Sequence, residues 1–115
     1  RVVSFSMASE NIDVPVENIL YLESNHRTMI LHLINHPRKD FHFYASITLM
    51  EDALSPIGFL RVHKSYLVNM EYIEILQYGK VRLKNSVELP VSKNNYTEIK
   101  QQYISWRGGH RWNIG

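Results

Sequence analysis

Three basic side chains, Arg61, His63 and Lys64, lie within a stretch of the chain that is otherwise largely apolar, FLRVHKSYLVNMEYI at residues 59–73. A guanidinium, an imidazole and an ammonium group at this spacing, with the hydroxyl of Ser65 beside them, can bind phosphate oxygens and the edges of nucleic-acid bases. The alternative is a solvated turn whose charges keep the edge of a sheet soluble.

The residues on either side of these bases are aromatic, β-branched and aliphatic, the types that favour strands. We therefore predict two short strands joined by a tight turn at His63-Lys64-Ser65. Arg61 and His63 occupy alternate positions, so they share one face of the first strand and can brace the turn as well as contact a ligand. A second polar turn, Asn25-His26-Arg27, separates two further apolar segments.

The elements that must position these turns are mostly strands, because apolar residues recur at every second position along most of the chain. In one segment, for example, Met29, Leu31 and Leu33 occupy one face. Strands are predicted over residues 2–7, 11–16, 19–24, 28–34, 41–44, 72–78, 80–83 and 87–89.

Two segments have a helical period instead. Residues 47–54 follow Ser46, whose hydroxyl is a reasonable N-cap. The last helix is predicted to begin at Ser92 and to present Tyr96, Ile99 and Tyr103 as its apolar stripe, with Ile104 as a further candidate. Many short strands and few helices predict a mainly β domain built of antiparallel sheets.

Composition limits the class of protein. The 115 residues suffice for one domain, which we take as 1–115, and 44% hydrophobic with 21% charged residues is ordinary for a globular protein. The absence of cysteine excludes disulfides and thiolate metal sites and fits a reducing cytoplasm. No apolar run approaches the roughly 20 residues of a membrane span.

Charge is distributed unevenly along the chain. Residues 1–58 carry four Lys/Arg against seven Asp/Glu, and residues 59–115 carry nine against four, so net charges of −3 and +5 underlie the total of +2. A local basic patch attracts phosphate more effectively than the total suggests.

The stretch 59–73 resembles the central signature of the LytTR family of DNA-binding domains: phenylalanine, arginine, histidine, a basic residue, serine and an aromatic residue, then valine-asparagine and a tyrosine-isoleucine pair. Two more blocks resemble that family in the expected order. They are residues 19–27, ILYLESNHR, and residues 89–93, LPVSK, followed by a polar helix. The resemblance covers about residues 10–104 and leaves 105–115 as a C-terminal tail without periodicity.

The resemblance implies short antiparallel sheets stacked in layers, a β-β-β sandwich with one or two short helices. It also implies that turns read the DNA. By position, His26 and Arg27 match the first DNA-contacting loop, Lys64 the second contact and Lys93 the third. His26 and Arg27 suit guanine edges or phosphate, whereas lysine at the other two positions supplies a point charge without a bidentate fork. Supporting or phosphate contacts are expected from Asn25, Arg61, His63, Ser65 and Asn94.

At Lys93, the third contact, the start of the last helix would add backbone N–H groups that bind phosphate. The function implied is sequence-specific binding of double-stranded DNA through the major groove, and transcriptional regulation as the output domain of a bacterial two-component response regulator. The partners implied are promoter direct repeats and a second copy in the full-length cytoplasmic protein.

Other functions are less well supported by the residues. The histidines lack HxH or HExxH spacing, so we expect no metal site and no cofactor. Ser65 beside His63 has no glycine-rich elbow, so we expect no enzyme. An interaction module that binds an acidic protein or ligand through the same basic rim remains an alternative, and it would differ from a DNA binder in its response to salt.

Overall fold

A computed structural model describes residues 1–6 and 10–110, the last of these by its backbone only. Over these residues the chain forms ten strands and two α-helices, which confirms the prediction of a mainly β fold. The strands are β1 (Val2–Ser6), β2 (Asn11–Pro15), β3 (Ile19–Asn25), β4 (Thr28–Leu33), β5 (Asp40–Tyr44), β6 (Phe59–His63), β7 (Tyr66–Asn69), β8 (Ile73–Gln77), β9 (Lys80–Leu83) and β10 (Glu88–Pro90). The helices are α1 (Ile47–Leu54) and α2 (Tyr96–His110), and short 3-10 turns span Val16–Asn18, Ser55–Ile57 and Met70–Tyr72.

Within the described residues the strands form three antiparallel sheets. The central sheet has five strands in the order β5-β4-β3-β7-β6. A two-stranded hairpin, β1-β2, and a three-stranded sheet, β10-β9-β8, complete the layers. In the central sheet β3-β4, β4-β5 and β6-β7 are pairs of strands consecutive in the chain, whereas α1 lies in the connection between the two edge strands, β5 and β6. The predicted stack of short antiparallel sheets is confirmed.

One face of the central sheet packs against the β1-β2 hairpin and α1. The two-residue period of β4 places Met29, Leu31 and Leu33 in this core, as predicted. Ile47 and Leu54 enter it from α1, whose first turn is capped as expected because the Ser46 hydroxyl accepts the Leu49 N–H over 3.4 Å. Fully burying such a side chain contributes about 1.5–3 kcal/mol, so this layer holds α1 firmly against the sheet.

The opposite face of the central sheet packs against the three-stranded sheet and α2. Leu60, Val62 and Val68 come from the central sheet, while α2 contributes Ile99 and Tyr103. The three-stranded sheet adds Val81, Leu83 and Leu89. This second core fixes α2 next to β6, and so next to the turn that follows β6.

Two hairpin turns lie at the same end of the central sheet. Strand β3 runs toward the β3-β4 turn, and its antiparallel neighbour β7 runs away from the β6-β7 turn. Glu23 pairs with Tyr66, and the Ser24 N–H donates to the Ser65 carbonyl over 2.8 Å. The opposite end of β7 is fixed by Asn69, which is 2% exposed and donates to the Ile19 carbonyl over 2.9 Å.

The last helix departs from the sequence prediction at both ends. It begins at Tyr96, not at Ser92, because the Ser92 N–H donates to the Val62 carbonyl over 2.8 Å and the segment is thereby held on the sheet. It also continues to His110, through residues that we predicted to form a tail after 104. Stacking of Trp106 on Tyr103, with ring centroids 6.4 Å apart, supplies the packing that extends it.

Of the tail named in the sequence prediction, residues 111–115 lie outside the described residues. In the part that is described, we find no helix with the length and apolar character that crossing a membrane requires.

Candidate nucleic-acid interface

The first turn, between β3 and β4, consists of His26 and Arg27 and exposes both side chains. His26 has φ = 59°, in the left-handed region, which costs a residue with a Cβ about 1–2 kcal/mol. Its carbonyl accepts the Ser24 hydroxyl over 3.4 Å, a long hydrogen bond. Neither side chain has an ion-pair partner among the described residues. Both are therefore available to an external ligand.

The second turn, Lys64 and Ser65 between β6 and β7, is held by Arg61. The Arg61 Nε donates to the His63 carbonyl over 2.9 Å, and Nη2 donates to the Lys64 carbonyl over 2.7 Å. Nη1 donates to Glu51 Oε1 on α1 over 3.0 Å. Because the guanidinium is a rigid planar fork, these three bonds fix the turn relative to the helix. In this structure Arg61 braces the turn that carries Lys64.

His63 stabilises the same turn in its neutral form. Its Nδ1 accepts the Ser65 N–H over 3.1 Å, which requires that this nitrogen carry no proton. Burial, followed by the positive charges of Lys64 and Arg61, lowers the pKa of His63 below its ordinary value. The neutral imidazole thus serves as a hydrogen-bond acceptor inside the turn, while the Lys64 side chain is exposed.

The third predicted contact, Lys93, lies in the loop that precedes α2, not in the helix itself. The Val91 N–H donates to the Gly79 carbonyl over 3.1 Å, which attaches this loop to the β8-β9 turn. Lys93 follows on the exposed surface, with its Nζ 5.8 Å from the centre of the Tyr78 ring, and Asn94 is also exposed. The prediction that Lys93 lies in the first turn of the last helix is therefore wrong, because α2 begins three residues later.

The three turns adjoin at one end of the molecule, which we call the turn edge: residues 26–27, 64–65 and 92–95. The first two are joined by the hydrogen bond between Ser24 and Ser65, and the third is joined to β6 by the bond between Ser92 and Val62. The structure thus brings His26, Arg27, Lys64 and Lys93 to a common edge. Of the supporting residues, Asn25 is exposed at the end of β3, and Ser65 contributes backbone groups to the turn.

Sequence reasoning missed three residues that shape this edge. Glu51, on α1, pairs with Arg61, and nothing in the spacing of the helix indicated it. Tyr78 and Gly79 support Lys93: a Cβ at Gly79 would lie 3.1 Å from Lys93 Cε, and the positive φ of Gly79 also disfavours any other residue. The hairpin around Gly79 was predicted, since glycine commonly marks such turns, but its contact with Lys93 was not.

No group of three or more His, Cys, Asp or Glu side chains in residues 1–6 and 10–110 is arranged to hold a metal ion. His32, for instance, stacks on Tyr21 and pairs with Glu23 through Nε2 over 2.8 Å. These contacts make it part of the packing of the central sheet.

Comparison with known proteins identifies the family to which the chain belongs. The family model described as the LytTr DNA-binding domain matches residues 9–104. Among solved structures, the fold is similar to one described as the LytTr DNA-binding domain of a methyl-accepting/DNA response regulator from Bacillus cereus. That match has a TM-score of 0.70 and 21% identity, and covers 90% of this chain and 95% of the other. No curated protein matches significantly. Because the family model spans most of the sequence, the chain belongs to the family of LytTr DNA-binding domains.

Proposed function

We propose that this domain binds double-stranded DNA in a sequence-specific manner and regulates transcription as the output domain of a bacterial response regulator. The observation that carries the proposal is the turn edge, where three separate turns present exposed basic side chains side by side. Membership of a family of DNA-binding domains supports DNA as the partner. In this proposal the side chains of the turns, and not a recognition helix, enter the major groove.

Each side chain has a chemical role in the proposal. Arg27 contacts guanine or phosphate, with a guanidinium that donates two parallel hydrogen bonds, and His26 donates a ring N–H to a base edge. Lys64 places a single charge, at a position fixed by Arg61, on phosphate or guanine. Lys93 anchors a phosphate. A good bidentate base contact contributes about 1–3 kcal/mol of discrimination against the wrong base.

The proposed context is a cytoplasmic protein in which two copies bind direct repeats in a promoter. Phosphate contacts made by exposed lysine and arginine release counterions, so the affinity of a DNA binder falls steeply as salt increases. An acidic protein partner would instead be held by fewer and more local charges.

The test is selection of duplexes from a random library, followed by sequencing, at two salt concentrations. The wild-type domain should enrich one motif, and His26→Ala and Lys64→Ala should each lose that enrichment. Lys84→Ala is the matched control because it removes the same charge at the other end of β9, where the Lys84 N–H donates to the Tyr72 carbonyl. Enrichment that survives in both turn variants would refute the assignment of the site.

Failure of the wild-type domain to enrich any motif, with binding to an acidic protein that salt hardly affects, would favour the interaction module over the DNA binder.

A further inference from the structure

A carboxylate lies directly behind the second turn. Glu51 extends from α1 and accepts a hydrogen bond from Arg61 Nη1 over 3.0 Å. The side chains of Arg61 and Glu51 are 23% and 36% exposed, so the pair is only partly hydrated. The remaining bonds of Arg61 go to the carbonyls of His63 and Lys64. A chain of hydrogen bonds thus runs from α1 to the backbone of Lys64.

A second carboxylate lies close by and differs in one respect. Glu51 and Glu98 both line an open polar cleft of about 400 Å³ between α1, the second turn and α2, and Lys64 also lines it. Glu51 is bonded to Arg61, whereas Glu98 has no side-chain partner among the described residues. Both glutamates therefore line the cleft beside the second turn, but only Glu51 is linked to that turn, through its hydrogen bond with Arg61.

Electrostatics alone predicts that both carboxylates oppose DNA binding. A negative charge beside a phosphate-binding edge repels the phosphates, so its removal should strengthen binding. A carboxylate that instead holds the turn in place has the opposite effect, because loss of the bond to Arg61 frees the guanidinium and loosens the turn. The sign of the change in affinity therefore separates the two roles.

We propose that Glu51 is a positioning residue for DNA recognition by Lys64. It orients Arg61, and Arg61 orients the backbone on which the Lys64 side chain is mounted. The inference rests on the proposed function, in that Lys64 must contact DNA. Preorganisation of this kind raises specific affinity because it reduces the entropy cost of ordering the turn when DNA binds.

The experiment compares Glu51→Ala with Glu98→Ala, two variants that remove the same charge from helices lining the same cleft. Binding is measured to a duplex that carries the motif recovered by the selection and to a scrambled duplex of equal length. Glu51→Ala should lower affinity for the selected duplex by about threefold to tenfold, as expected for loss of a partly exposed, charge-assisted hydrogen bond. Its affinity for the scrambled duplex should not fall.

Glu98→Ala should bind the selected duplex as tightly as wild type or more tightly. An equal loss in both variants, or a gain in Glu51→Ala, would overturn the proposal. Thermal unfolding of both variants identifies the folded fraction, so that affinities refer to folded protein.

A double-mutant cycle with Lys64→Ala separates this inference from the proposed function. If Glu51 acts through Lys64, Glu51→Ala should cost less than about twofold in the Lys64→Ala background, because the side chain that Glu51 helps to position is then absent and the two losses are not additive. The full loss in that background would overturn the positioning role. If Lys64→Ala itself leaves specific binding unchanged, the site assignment in the proposed function fails instead.

Discussion

The two hairpin turns at the turn edge differ in how their backbones are held. The Lys64 carbonyl accepts a charged donor from Arg61, the Ser65 N–H is bonded to His63, and the Ser65 carbonyl is bonded to Ser24. Besides the pairing of Asn25 with Thr28, the first turn has one side-chain hydrogen bond among the described residues, the long bond from the Ser24 hydroxyl, and its His26 is in the left-handed region. The second turn is preorganised by side chains, whereas the first relies on the geometry of its hairpin.

In the proposed mode of DNA binding this difference matters, because the two turns carry side chains of different chemistry. The fixed turn presents lysine, a single charge on a flexible stem, so its specificity depends on where the backbone places that stem. The first turn presents Arg27 and His26, whose planar groups carry their own directional preference. In the proposed complex, the less constrained turn adjusts these planar groups to a base edge as binding occurs.

The largest effect is expected from Arg61→Ala, which removes the brace of the second turn. Two carbonyls and the carboxylate of Glu51 lose their donor, so the free energy of unfolding should fall by about 1–3 kcal/mol, and specific DNA affinity should fall at least about tenfold. Urea denaturation and titration with the selected duplex measure the two quantities.

Arg82→Ala is the control for this change, because the Arg82 side chain is 42% exposed and donates to Glu74, an exposed carboxylate. Its loss should change the free energy of unfolding by less than about 1 kcal/mol. If both variants lose the same small amount of stability, the second turn is not braced by Arg61 in solution, and the contrast between the two turns disappears.

Sequence alone predicted much of this comparison. The two-residue period predicted the strands and the core positions of β4. The resemblance placed His26, Arg27 and Lys64 in two turns and Lys93 at the start of the last helix, and the structure brings these residues to one edge. These features are local in sequence or follow from strand pairing, so that the pattern of residue types suffices to predict them.

The sequence offered Arg61 and His63 as residues that could brace the turn, and both do, but the partner of Arg61 was not predictable. Arg61 and Glu51 are ten residues apart on different elements, and their contact depends on how α1 packs on the central sheet. The start of α2 was misplaced for a related reason, since Ser92 has the residue type of an N-cap but bonds to β6 instead. In both cases a tertiary hydrogen bond determined the outcome.

A smaller effect is expected from His26→Gly, which tests whether the first turn is strained for the sake of its side chain. Glycine adopts positive φ without the cost that a Cβ imposes, although it also makes the unfolded chain more flexible. His26→Gly should therefore be more stable than His26→Ala by about 0.5–1 kcal/mol, while both lose DNA affinity equally. Urea denaturation of the pair is the measurement, and a less stable glycine variant would exclude strain at this position.

The smallest effect concerns pH and the second turn. The pKa of His63 is lowered in the folded state, so the stabilisation from its neutral form is present above the ordinary histidine pKa of about 6.5 and is lost as pH falls through the lowered value. Protonation places a hydrogen on the nitrogen that accepts the Ser65 N–H.

His63→Asn keeps an acceptor but does not titrate. Between pH 8 and pH 5 the wild type should therefore lose more stability than the variant, by less than about 1 kcal/mol because the ring is partly solvated. Equal losses by urea denaturation at the two pH values would show that the turn does not depend on a neutral imidazole, and the backbone bond between Ser24 and Ser65 would then be its main support besides Arg61.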